Sequence, residues 1–148
     1  MFELLRKMLG NDTPDEAETM TLEKAAGALL IEVSKSDYDQ DPAEVEKIRD
    51  LLSRHFSVSV DDMEGFMKDV EDHSHQGTSL YPYTRFINDN CSNEEKYLLI
   101  KSLWEVAAED GRIDKYEDYV IRKVSDLIYL PHSDFIRAKL EVTKAAGL

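Results

Sequence analysis

Residues 104–121 read WEVAAEDGRIDKYEDYVI, and residues 31–48 read IEVSKSDYDQDPAEVEKI. Laid over each other at an offset of 73 positions (105 − 32 = 73), Glu32 meets Glu105, Val33 meets Val106 and Asp37 meets Asp110. At the same offset Asp41 meets Asp114, Glu44 meets Glu117 and Ile48 meets Ile121. In each copy an apolar run at helical spacing enters a short acidic turn and leaves as a second run at the same spacing. A helix, an acidic turn and a helix, spelled twice, predict an all-α, compact multi-helix bundle with an internal duplication.

The same spacing extends over most of the chain. Leu22, Ala25, Ala26, Leu29, Leu30 and Val33 form one stripe, and Ile48, Leu51, Leu52, His55 and Phe56 form another. Leu99, Leu103, Val106 and Ala107 continue the pattern, followed by Val120, Ile121, Val124, Leu127 and Ile128. The segment FSVSV (56–60) alternates, but it sits at a helix junction, where Ser59 caps the next helix. Helices are expected near 2–9, 22–36, 42–55, 60–71, 80–89, 93–109, 115–128 and 133–145. The breaks are rich in turn formers: GNDTPDEAET (10–19), DHSHQGTS (72–79), NDNCSNEE (88–95) and YLPHSDF (129–135). Ser92 and Glu95 have the form of a capping box. These features divide the chain into a short N-terminal helix with an acidic linker (1–21) and one helical domain (22–148). Each half of that domain is too small to bury much surface alone.

The 148 residues carry 31 acids against 18 bases, a formal charge of −13. Such a surface repels phosphate backbones and favours cations or basic partners, so nucleic-acid binding is not expected. With one cysteine, Cys91, no intrachain disulfide forms, which fits a reducing compartment. No apolar run reaches the roughly 20 residues of a spanning helix, and the first ten residues are too charged for a secretory signal. A cytoplasmic location follows as an expectation. The N-terminal decapeptide carries Phe2, Leu5, Met8 and Leu9 on one face. That face packs on its own bundle, docks on a protein partner or homo-oligomer, or supports peripheral membrane association.

The repeated acids admit two readings. In the first they start helices. Asp41-Pro42-Ala43-Glu44 and Asp114-Lys115-Tyr116-Glu117 each place a cap acceptor three residues before a Glu, where an orphan N–H needs an oxygen and the helix dipole favours negative charge. Asp37 and Asp110 lie four residues before each cap, near the negative end of the preceding helix, and capping does not explain them. In the second reading the acids hold a hard divalent cation, Ca²⁺, Mg²⁺ or Mn²⁺. The segment DGRIDKYE has the second half of an EF-hand loop, with Gly111 allowing the sharp turn. Val106 and Ala108 occupy the places of its first two acids, and Tyr38 replaces Gly111 in the first repeat, so a conventional EF-hand is not expected. The candidate ligands are Asp110, Asp114 and Glu117, with Asp37, Asp41 and Glu44. His73 and His75 are too few for a closed zinc site. Tyr81, Tyr83, Phe86 and Trp104 are expected in the core. No nucleophile–base pair and no glycine-rich phosphate loop is present, so the chain is not expected to be an enzyme.

The segments LLIEVSKSDYDQDPAEVEKIRDLL, YTRFIN and LLIKSLWEVAAEDGRIDKYEDYVIRKVSDLIYLPHSDFIRAK together resemble the TerB-like tellurite-resistance family. The likeness spans roughly Leu22 to Lys139, and LWEVAAEDGRIDKYEDYVIRKVSDL is its most specific part. The resemblance implies an all-helical domain with an internal duplication and acidic positions that bind metal. By motif these positions are Asp110, Asp114 and Glu117, and by repeat Asp37, Asp41 and Glu44, with Tyr38 a departure from the pattern. It also implies a link to tellurite and other stress responses and to membrane-associated complexes. The resulting expectation is a non-enzymatic domain, either a cation-binding or stress-response adaptor, or a purely structural protein–protein interaction domain whose acids are caps.

Overall fold

The computed structural model describes residues 20–35, 41–76 and 79–148, with the backbone alone for 73–76. The expected N-terminal helix, most of the acidic linker, Asp37 and Tyr38 lie outside the described residues. Those residues form seven helices and no strand: α1 Leu22–Lys35, α2 Pro42–His55, α3 Val60–Gln76, α4 Tyr81–Asn90, α5 Asn93–Ala107, α6 Lys115–Leu127 and α7 His132–Ala146.

The pattern of α1 places it at the centre. Between Lys24 and Glu32 it has no polar side chain, and a helix that is apolar all round is buried all round. Every residue from Ala25 to Ile31 is buried, as are Val33 and Ser34. Around α1 pack α2, α3, α4, α5 and α6. The second central helix, α5, contacts α1, α2, α6 and α7. Helix α2 packs on α1 and reaches α5, while α6 packs on α5 and reaches α1. In the same way α3 lies on α1, and α7 lies on α5.

Trp104 is fully buried, its ring centroid 5.4 Å from that of Phe135 on α7. Tyr83 and Phe86 pack against the core as expected, but Tyr81 is exposed at the start of α4. His55 is exposed as well, so the inward stripe of α2 passes directly from Leu52 to Phe56.

Most helix boundaries fall where turn chemistry puts them. Ser59 accepts from Asp62 N–H, Ser92 and Glu95 form a capping box, and Pro42 and Pro82 sit in the first turns of α2 and α4. One boundary differs. The segment from Asp72, expected as loop, continues α3 to Gln76. Polarity alone does not stop a helix, and no glycine or proline occurs there before Gly77. Helices α2 and α6 each run into a non-glycine residue of positive φ. Val58 N–H donates to Leu52 O past Ser57 at φ 62°, and Leu130 N–H donates to Ser125 O past Tyr129 at φ 59°. Only the second is a Schellman closure, with Tyr129 N–H also donating to Asp126 O, and it is built on a residue other than glycine.

Candidate functional site

The acidic turn before α6 is built outward from Gly111. Helix α5 ends at Ala107, and Gly111 N–H donates to Ala108 O at 3.0 Å. Gly111 has φ +88°, a left-handed conformation that a Cβ disfavours, so glycine is what lets the chain reverse here. Asp110 is exposed and its Oδ1 accepts from Arg112 N–H at 3.2 Å, an Asx turn that holds the reversal. Because Asp110 lies beyond the last helical residue and faces water, the crowding expected at the helix end is largely relieved by solvent.

Asp114 then starts α6. Its Oδ1 accepts from Tyr116 N–H at 2.6 Å, and its own N–H donates to Glu117 Oε1 at 2.9 Å, completing a capping box. Asp41 caps α2 through its side chain, with Oδ1 accepting from Ala43 N–H at 2.9 Å and Pro42 following. The glutamates three residues on are the unusual members of the set. Glu44 is 0% exposed and Glu117 is 1% exposed, although the chain is strongly acidic. Charged groups are rarely this buried, because removal from water costs several kcal/mol, on the order of what a whole domain has to spare. The sequence carried a signal for it. Glu44 lies four and seven positions before Ile48 and Leu51, and Glu117 lies the same distances before Ile121 and Val124, all of them core residues. Each glutamate therefore stands at the head of its helix's inward stripe.

Of the six candidate ligands, Asp37 lies outside the described residues. Asp110, Asp114 and Glu117 lie together at the junction of α5 and α6, and Asp41 and Glu44 lie at the start of α2. Among the described residues no three His, Cys, Asp or Glu side chains come together in a way that would hold a metal ion.

Asp118, one residue past Glu117, was not singled out by the sequence. Its carboxylate receives Lys139 Nζ of α7 at 2.9 Å and Arg122 at 3.3 Å. Lys139 Nζ also lies 5.1 Å from the centre of the Trp104 ring, so one carboxylate ties α6, α7 and the central helix together. Cys91 is half-buried, and burial together with the nearby Glu95 pushes its thiol above the ordinary range. That is the reverse of what a nucleophilic thiol requires.

A family model described as tellurite resistance protein TerB matches residues 23–140, most of the chain. No curated protein and no solved structure matches. No helix among the described residues is long and apolar enough to cross a membrane.

Proposed function

Because the chain belongs to the family of tellurite resistance protein TerB, we propose that it is a non-enzymatic adaptor domain whose acidic turns are structural. The observation that carries this reading is the structural use that four of the six acids already have. Asp41 and Asp114 cap helices, Glu117 closes a capping box, and Asp110 holds the Gly111 reversal. The surface that remains is strongly acidic. Helix α3 exposes Asp61, Asp62, Glu64, Asp69 and Asp72 around a single Lys68, so a basic protein surface is the partner that its charge favours.

A second reading, a divalent cation captured at the Gly111 turn, draws support from the density of oxygen there. Glu109, Asp110 and Asp114 flank a residue in the left-handed conformation that cation loops use. Melting curves of the full chain in millimolar Ca²⁺, Mg²⁺ and Mn²⁺ separate the two readings. The adaptor reading expects superimposable curves. A rise in Tm that Asp110→Ala abolishes, and that Asp114→Asn reduces while keeping the cap, would replace it with the cation reading.

A further inference from the structure

We propose that two copies of this chain pair through the outward face of α7, antiparallel, about a two-fold axis level with residue 139. Three observations converge on that face. Phe135, Ala138 and Val142 turn inward and fix which side of the helix is outside. On the outside, Ser133, Ile136, Arg137, Leu140, Glu141 and Lys144 line a shallow groove of about 350 Å³ whose surface is almost entirely apolar. At its centre Leu140 is 59% exposed. Such a leucine alone is ordinary, but one centred in an apolar groove on a chain of charge −13 marks a contact surface.

The charges on this face identify the occupant. Asp134, Arg137, Glu141 and Lys144 follow one another at spacings of three, four and three, so they form one ridge along the groove. The ridge reads minus, plus, minus, plus. Reversed, it reads plus, minus, plus, minus. An antiparallel second copy therefore sets Asp134 against Lys144 and Arg137 against Glu141, each pair made twice, and both pairs are centred on position 139. A two-fold axis perpendicular to the helix keeps the same flank on the same side, so the four charges meet without rotating Leu140 away from the seam. A parallel pair, with its two-fold axis along the helices, would put the two ridges on opposite flanks of the seam and make neither pairing.

Three of the four are already oriented from within. Arg137 pairs with Asp134 at 3.1 Å and lies 4.0 Å over the Tyr97 ring. Glu141 accepts from the Tyr97 hydroxyl and pairs with Lys101 at 3.7 Å. Lys144 makes no ion pair among the described residues and is exposed, so it is available to a partner's Asp134. Helix α7 is also a favourable place for an acidic chain to meet itself, since its three bases outnumber its two acids. The pairing stands whether or not a cation binds the Gly111 turn.

Sedimentation velocity of the full chain over a concentration series at low salt tests the proposal, with circular dichroism to establish that each variant folds. The wild type should shift from monomer to dimer as concentration rises. Leu140→Asp, at an exposed position, should keep its helicity and weaken the dimer about tenfold or more. Lys144→Glu should weaken it several-fold by facing Asp134, and adding Asp134→Arg should recover most of the loss, because the swap restores opposite charges in the symmetric pair. A wild type that stays monomeric to millimolar concentration overturns the proposal. So does a Leu140→Asp variant that dimerises as well as wild type, or a folded double variant no better than Lys144→Glu alone.

Discussion

Tyr129 shows how a single residue is held in an unfavourable conformation by its neighbours. It sits at φ 59° just past the end of α6, where glycine is the usual occupant, and its side chain is 78% exposed. The ring therefore gains little from packing, while the left-handed backbone costs roughly 1–2 kcal/mol relative to glycine. Tyr129→Gly should stabilise the fold by up to about 1 kcal/mol, part of the gain being offset by the greater freedom of glycine in the unfolded chain. Thermal denaturation should show this as a rise in Tm of about 2–4 °C. An unchanged or lower Tm would mean that the tyrosine ring makes a contribution its exposure does not suggest. Glu44 and Glu117 carry the opposite lesson. Their place in the first turn of each helix was legible from the D-x-x-E spacing, but their burial depends on the rest of the helix, whose inward stripe begins at the same residue.

At the scale of elements, the contact between α5 and α7 combines packing with titratable groups. Tyr97 on α5 donates its hydroxyl to Glu141 on α7, and Arg137 lies over its ring. Burial first, and then the Glu141 carboxylate, push the Tyr97 hydroxyl up to about 12, while the hydrogen bond from Tyr97 holds Glu141 below its ordinary value. The sign of the pH dependence follows. The folded state keeps its Tyr97 proton where the unfolded chain, ionising near pH 10, has lost it. The contribution is thus complete below about pH 10 and is lost as pH rises towards about 12. For Glu141 the stabilisation is present above its unfolded pKa and fades as pH falls through the depressed folded value. Denaturant melts between pH 9 and 12 should show a decline in stability that is shallower in Tyr97→Phe (this pH window taken from roughly the normal and raised tyrosine values). Equal slopes in the two proteins would show that Tyr97 ionises without penalty. The elements themselves were largely readable from periodicity and caps. The exception is the end of α3, where the stretch from Asp72 has the polarity of a loop but nothing that breaks a helix.

At the scale of the whole molecule, net charge and core set opposing terms. The charge of −13 is spread unevenly, with six acids and one lysine on α3 alone. Mutual repulsion should destabilise the folded chain at low ionic strength, and the Debye length shortens from about 30 Å at 0.01 M to about 8 Å at 0.15 M salt. Raising NaCl over that range should therefore raise the denaturation midpoint. A fall would mean that attractive pairs such as Lys139–Asp118 outweigh the repulsion. The core supplies the stabilising term. Trp104, fully buried against Phe135 and beneath Lys139, should cost roughly 3–5 kcal/mol on replacement by alanine, with the loss read from denaturant unfolding.

The sequence by itself determined the helices, their caps and the two acidic turns, because these depend on spacing, on proline and glycine, and on side-chain oxygens within three or four residues of the groups they serve. Only the tertiary structure decided which acids are buried, that Asp118 and Lys139 join α6 to α7, and that one ridge of α7 is left facing outward. Those outcomes rest on contacts between residues far apart in the chain. Local pattern constrains such contacts but does not choose among them, since the choice is made by whichever packing closes the core around α1 and α5.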